Sequence, residues 1–115
     1  MSKQSEPPPE GLESEGHLLV AVSGESMAPA LLSGDQIVID TRAQPRVGDI
    51  VVARHPFRTD VHVIKRLVGF DERGRARLEG DNPRESTDSR TLGHFPPELI
   101  LGPMIERHRA DEGGA

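Results

Sequence analysis

Hydrophobic residues in this sequence fall into short runs that are separated by glycine, proline and acidic residues. Short runs rich in valine, isoleucine and leucine between turn residues predict β-strands. The predicted strands span residues 17–22, 36–40, 49–54, 61–69, 75–79 and 99–106. A helical turn is predicted only for residues 29–32. The expected fold is therefore a small, mostly β, antiparallel single domain with one short helical turn.

The two ends of the chain differ in composition from the middle. Residues 1–16 are mainly proline, glutamate, serine and glycine, and residues 107–115 are similarly polar. Segments with so little apolar surface to bury are predicted to be disordered. The expected organisation is a folded domain over residues 17–106 between two tails.

Charge and residue content exclude several classes of function. The 115 residues carry a net charge of -5, which disfavours nucleic-acid binding through phosphate contacts. The absence of cysteine excludes disulfides, cysteine–zinc sites and thiol catalysis. No apolar run approaches the roughly 20 residues of a membrane-spanning helix, and the start lacks the pattern of a secretory signal. We therefore expect a cytoplasmic protein without a membrane anchor.

The first candidate for chemistry is Ser26, in the turn that follows the first predicted strand. Gly24 permits backbone conformations that other residues avoid, and Pro29 restricts the chain just beyond the serine. A serine at such a sharp junction can present its hydroxyl, and unpaired backbone N–H groups there could stabilise an oxyanion. The plainer alternative is that Ser26 caps the turn that begins at Pro29.

The second candidate is Lys65, in the longest predicted strand. Because side chains alternate between the faces of a strand, Lys65 shares one face with Val61, Val63 and Leu67. Burial among aliphatic neighbours lowers the pKa of an ammonium group, and a neutral lysine can accept a serine proton. The alternative is a half-buried lysine whose tip reaches water.

Four short motifs then occur in order along the chain. They are Ser26-Met27-x-Pro29-x-Leu31, Gly48-Asp49-Ile50-Val51-Val52, Lys65-Arg66-x-Val68-Gly69 and Gly80-Asp81-Asn82…Ser86-x-Asp88-Ser89-Arg90-x-x-Gly93. Each motif is weak alone, but four in this order and spacing are specific. Over about residues 23–102 the chain resembles the type I signal peptidase family of serine/lysine proteases.

The resemblance implies roles for the matching residues. Ser26 would be the acylated nucleophile, with its own backbone N–H as an oxyanion donor, and Lys65 the general base. Ser86 would hydrogen-bond and orient the Lys65 amine. The remaining implied roles are structural ion pairs for Asp88 with Arg90 and for Arg66 with Asp81, and positions in the substrate groove for Met27 and Pro29.

The segment around Asp88 also has an interpretation that needs no resemblance. Glycine, aspartate, asparagine and proline make turns, so these carboxylates could belong to a solvated turn. If the segment is instead extended, the i, i+2 spacing places Asp88 and Arg90 on the same face.

This sequence departs from the best-known members of the family in three ways. It lacks an N-terminal membrane anchor, and only residues 70–78 separate the lysine strand from the last motif, where some members insert a second β domain. Gly24 stands where some members carry a serine that donates a second oxyanion hydrogen bond. Loss of such a donor can cost about 2.7–4 kcal/mol of transition-state stabilisation.

The short, anchor-free form is most similar to the nickel-type superoxide dismutase maturation proteases. That resemblance implies removal of an N-terminal leader from a cytoplasmic precursor, bound as an extended peptide with small side chains before the cut. No metal or cofactor is expected.

Three alternatives remain open from the sequence. A self-cleaving regulator of the SOS-repressor type also uses serine and lysine, but residues 1–22 contain no Ala-Gly or Cys-Gly pair and no helix-turn-helix pattern. A non-catalytic peptide-binding module with a decayed site is the second alternative. The third is a metal site built from the histidines, although no two of them have the spacing of a known metal motif.

Overall fold

The computed structural model describes residues 16–110, which form one six-stranded antiparallel sheet of order β1-β2-β6-β3-β4-β5. The strands are β1 (His17–Ala21), β2 (Gln36–Asp40), β3 (Ile50–Arg54), β4 (His62–Phe70), β5 (Ala76–Glu79) and β6 (Ile100–His108). A short helix, α1 (Ser89–Leu92), and 3₁₀ turns at Pro83–Glu85 and Pro97–Leu99 lie between β5 and β6. The predicted mostly β, antiparallel fold class is confirmed, and each predicted strand is present with slightly shifted ends.

The helical turn predicted for residues 29–32 is present as a single turn rather than a helix. The Leu31 amide donates to the Met27 carbonyl at 3.0 Å, and the surrounding residues form hydrogen-bonded turns. The short helical segments lie between β5 and β6.

The predicted end of the folded domain at residue 106 lies too early. Strand β6 continues to His108, and the Arg109 guanidinium pairs with the buried Asp35 carboxylate at 3.1 Å. This pairing joins residues far apart in sequence, so the local composition of the segment gave no sign of it. The rest of both predicted tails, residues 1–15 and 111–115, lies outside the described residues.

Strand β3 is the centre of the core because both of its faces are buried. Ile50 and Val52 belong to one apolar cluster, and Val51 and Ala53 belong to a second one. The first cluster packs β1, β2 and the segment after β1, whereas the second packs β4, β5 and Phe95. A strand that is buried on both faces is a continuous apolar run rather than an alternating one.

The sheet curls so that β1 and β4, which are not neighbours in it, line one groove. Strand β4 pairs with β3 from His62 to Arg66, but its pairing with β5 begins only at Arg66. On the side away from β3, the first half of β4 therefore has no strand partner among residues 16–110. Strand β1 pairs with β2 alone among the described strands, so its other edge is also open.

Within residues 16–110, none of the helices has the length and the apolar character needed to cross a bilayer.

Phe95 provides a test of the second cluster. Its side chain is 0% exposed, whereas that of Phe57 is 75% exposed. We expect Phe95→Ala to lower the free energy of unfolding by about 3–5 kcal/mol, because it removes buried apolar surface and leaves a cavity in the core. The matched control, Phe57→Ala, should change it by about 0.5 kcal/mol or less. Urea denaturation followed by circular dichroism measures both, and equal effects would contradict this packing.

Candidate active site

The groove between β1 and β4 holds both residues that the sequence singled out for chemistry. It has a volume of about 180 Å³ and is lined by residues 20–23, 26, 27 and 62–65. Ser26 follows β1, and the buried side chains of Met27 and Leu31 anchor its loop in the first apolar cluster. Lys65 lies in β4, opposite Val51 of β3. Tertiary packing thus brings together two residues that are distant in sequence.

The Lys65 Nζ atom lies 3.0 Å from Ser26 Oγ, within hydrogen-bond distance. Lys65 is only 6% exposed, and Leu67 on the same face of β4 is also buried. The alternation inferred from the sequence is therefore present, and Lys65 as a whole is buried.

Burial lowers the pKa of Lys65 below its ordinary value of 10.5. The cause is desolvation, because the charged ammonium loses more than the neutral amine when water is removed. The Asp88 carboxylate opposes this by favouring the ammonium, whereas the Arg90 guanidinium lowers the pKa of Lys65 further. A buried amine in contact with a serine hydroxyl is an arrangement in which a lysine can act as a general base.

Ser86 does not make the predicted hydrogen bond to the lysine amine. Its hydroxyl donates to Asp88 Oδ2 at 2.5 Å instead. A carboxylate is a stronger acceptor than an amine because the bond is charge-assisted. Ser86 and the Ser26 carbonyl both lie against Gly80, because a Cβ atom added to Gly80 would overlap both of them. Ser86 is therefore close to the serine loop although it does not bond to the lysine.

Asp88 and Arg90 form an ion pair, but not through an extended strand. Asp88 is the N-cap of α1, and its side chain accepts hydrogen bonds from the Arg90 amide and guanidinium. The Gly80 amide also donates to this carboxylate, at 2.8 Å. Although burial raises the pKa of Asp88, the bonds from Arg90, Ser86 and Gly80 hold it well below its usual range. The Asp88 carboxylate is therefore ionised, and both of its oxygens accept hydrogen bonds beneath the site.

Arg66 and Asp81 form the second predicted ion pair, with Arg66 Nη2 2.6 Å from Asp81 Oδ2. The guanidinium also donates to the Gly48 carbonyl at 2.9 Å. Because Arg66 follows Lys65 on β4, this pair fixes the segment that begins at Gly80 against the lysine strand.

The two residues predicted to shape the groove differ in position. Met27 is buried and lines the groove, but Pro29 is exposed and lies outside the lining. Pro29 follows the turn at Ala28, where the chain has already left the groove. A role for Pro29 in substrate binding stays a prediction.

Contacts between the Asp81–Asn82 segment and the serine loop were not predicted from the sequence. The Asn82 amide donates to the Ser26 carbonyl at 2.9 Å, and the Asn82 side chain donates to the Glu25 carbonyl at 3.0 Å. The Asp81 amide contacts Met27 Sδ at 3.4 Å. The Gly-Asp-Asn motif was the available signal, but turn chemistry explained it equally well.

The backbone N–H of Ser26 donates to no acceptor among residues 16–110. The amide of Gly24 donates to Ser33 Oγ at 3.3 Å, and a Cβ atom added to Gly24 would meet nothing within 4 Å. The loop therefore offers the Ser26 N–H to a ligand, whereas a side-chain donor at position 24 is missing as the sequence indicates.

Two of the histidines, His55 and His94, make local contacts away from the groove's serine and lysine. His55 Nδ1 accepts from the Phe57 amide at 3.1 Å, and His94 Nδ1 lies 2.9 Å from Asp71 Oδ2. Across residues 16–110, no group of three or more histidine and acidic side chains is arranged to hold a metal ion.

The chain matches one protein-family model and several known proteins. A family model described as Peptidase S24-like matches residues 3–93. The chain is 32% identical over 112 residues to mitochondrial inner membrane protease subunit 1 of Xenopus tropicalis, covering 77% of this chain and 67% of that protein. The Schizosaccharomyces pombe subunit 1 is 33% identical over 108 residues, with coverages of 74% and 69%. The Homo sapiens subunit 1 is 30% identical over 107 residues, with coverages of 73% and 64%.

The buried amine predicts a specific pH dependence of stability. Between the lowered pKa of folded Lys65 and the ordinary value of 10.5, the unfolded chain binds more protons, so stability rises with pH. Below this window, Lys65 is charged in both states, so the folded protein bears the full free-energy cost of burying the ammonium. We expect Lys65→Met to gain most over wild type below the lowered pKa of Lys65. The gain should shrink toward pH 10.5, with a slope of up to about 1.4 kcal/mol per pH unit.

Urea denaturation of both proteins across this pH range measures the difference, in which the contributions of all other groups cancel. A gain that stays constant with pH would show that Lys65 titrates normally in the folded protein.

Proposed function

The chain belongs to the Peptidase S24-like family, and from that premise we propose that it is a serine endopeptidase with Ser26 as nucleophile and Lys65 as general base. One observation carries the proposal, namely the 3.0 Å contact between Ser26 Oγ and the buried Lys65 amine. A serine hydroxyl is a weak nucleophile until a neighbouring base takes its proton. Among residues 16–110, no histidine is recorded within hydrogen-bond distance of Ser26, so Lys65 is the base that the site provides.

Peptide hydrolysis proceeds in two stages in this proposal. Neutral Lys65 takes the Ser26 proton as Oγ attacks the scissile carbonyl, and the Ser26 N–H stabilises the oxyanion. The resulting ammonium then protonates the leaving amine, which gives an acyl-enzyme. In the second stage Lys65 takes a proton from water, the hydroxide attacks the ester, and the ammonium returns its proton to Ser26 Oγ.

The substrate binds as an extended strand between β1 and the first half of β4. Both strands present an edge without a strand partner among the described residues, and residues 20–23 and 62–65 line the groove between them. Addition of a strand to an open edge gives affinity through backbone hydrogen bonds. Small side chains before the cut are expected from the family resemblance.

The relatives favour processing of another protein over self-cleavage. The proteins that the chain resembles are named protease subunits of the mitochondrial inner membrane. A self-cleaving regulator remains the second candidate, because such regulators also use a serine and a lysine and the matching family model is described only as Peptidase S24-like. Incubation of the purified protein separates the two, since the proposal expects the chain to stay intact.

We further propose that the substrate is the precursor of a nickel-type superoxide dismutase, processed in the cytoplasm. This finer assignment rests on the sequence resemblance to the maturation proteases of that enzyme. The groove between β1 and β4 supports it only in so far as a precursor leader would bind there as an extended peptide.

The first test uses a fluorophosphonate probe, which labels an activated serine without knowledge of the substrate. We expect wild type to be labelled at Ser26, and Ser26→Ala or Lys65→Met to lose labelling by at least about 10³-fold. Lys65→Arg should be equally inactive, because a guanidinium cannot act as the base. Labelling should increase with pH through the lowered pKa of Lys65.

Ser33→Ala is the matched control, since Ser33 is an exposed serine that contacts the same loop at Gly24. It should be labelled like wild type. Equal labelling of the Lys65→Arg variant would contradict the role of the lysine.

The second test concerns the substrate. On co-expression with a nickel superoxide dismutase precursor, wild type should remove the leader, and Ser26→Ala should leave it attached. Mass spectrometry of the dismutase N-terminus measures the outcome. Probe labelling without leader removal would reject this substrate but keep the peptidase.

A further inference from the structure

The only asparagine of the sequence, Asn82, holds the backbone on both sides of the candidate nucleophile. Its amide donates to the Ser26 carbonyl at 2.9 Å, and its side-chain Nδ2 donates to the Glu25 carbonyl at 3.0 Å. These carbonyls belong to the peptide units that precede and follow the Ser26 Cα atom. Asn82 therefore fixes both peptide planes that determine the backbone conformation of Ser26.

The bond to the Glu25 carbonyl has a consequence for the opposite side of the peptide unit. Among residues 16–110, the cis peptide bond is Ala28–Pro29, so the Glu25–Ser26 bond is trans. In a trans peptide, the C=O and N–H groups point in opposite directions. When Asn82 draws the Glu25 carbonyl toward itself, it aims the Ser26 N–H away from the Asp81–Asn82 segment. That N–H has no acceptor among the described residues.

Residues around Asn82 make its position rigid. The Asp81 carboxylate pairs with Arg66 of β4 at 2.6 Å, and the Gly80 amide donates to the Asp88 carboxylate at 2.8 Å. The donor on Asn82 is thus held by the same strand that carries Lys65. A rigid link between the base and the nucleophile's backbone keeps their mutual geometry constant.

We propose that Asn82 is a positioning residue that aims the Ser26 N–H at the oxyanion, which rests on the proposed peptidase function. The direction of this N–H is especially important here, because Gly24 supplies no side-chain donor for the oxyanion. Stabilisation of the oxyanion by this loop then depends on the direction of one backbone N–H. A small misplacement of such a group can lower a rate by on the order of 10²-fold.

The test compares Asn82→Asp with wild type. Aspartate has the same shape and keeps the backbone bond to Ser26, but its ionised side chain cannot donate to the Glu25 carbonyl. We expect kcat for a cleaved peptide to fall by about 10²-fold with little change in KM, because the lost contact acts mainly in the transition state. Inhibition by a peptide boronate, which forms a tetrahedral adduct with serine, should weaken by a similar factor.

Arg84→Ala is the matched control, since Arg84 is an exposed residue of the same segment. It should change neither kcat nor boronate inhibition. If Asn82→Asp does not fold, Asn82→Ala takes its place. A kcat for the folded variant within about twofold of wild type, or equal losses in KM and kcat, would overturn the proposal.

A measurement on wild type separates failure of this proposal from failure of the proposed function. In ¹⁵N- and ¹³C-labelled protein, a correlation across the hydrogen bond should join the Asn82 side-chain amide to the Glu25 carbonyl carbon. Absence of this correlation overturns the role of Asn82 even if the peptidase is active. Its presence in a protein whose Ser26 takes no fluorophosphonate would instead reject the peptidase function and, with it, the catalytic role of Asn82.

Discussion

The contact between Ser26 Oγ and Lys65 Nζ is the interaction on which the rest of this structure depends. Each side chain alone has an ordinary explanation, as a turn residue or as a strand lysine. At 3.0 Å, and with the amine removed from water, each supplies what the other lacks. Burial is costly for a charged lysine, but it lowers the pKa of the amine, as the proposed general base requires.

Several parts of the fold position these two side chains. Pairing of β4 with the doubly buried β3 fixes the lysine, and the buried Met27 side chain fixes the serine loop. The segment from Gly80 to Asp88 joins the two through hydrogen bonds and ion pairs. Its carboxylate at Asp88 also limits how far the pKa of Lys65 can fall, because the negative charge favours the ammonium. Positioning and electrostatics therefore come from the same short segment.

The strands could be predicted because their signals are local, whereas the two catalytic candidates needed four motifs in order along the chain in addition to their local signals. Runs of valine and isoleucine between turns predict strands, and alternation places Lys65 among aliphatic side chains. Other features depend on contacts between distant residues. The bond of Arg109 to Asp35 extends the folded part of the chain, and the Ser86 hydroxyl prefers the buried Asp88 carboxylate. Spacing along the chain does not distinguish such partners.

The protonation state of Lys65 tests the central claim most directly. The sequence contains two lysines, Lys3 and Lys65, so ¹³Cε-lysine labelling gives few signals, and a Lys65→Met spectrum identifies the one of interest. A ¹³C NMR titration then follows that signal in the folded wild-type protein. The structure predicts a midpoint clearly below the ordinary value of 10.5. A midpoint at or above that value would mean that the amine remains a charged ammonium, and the proposed base would be lost.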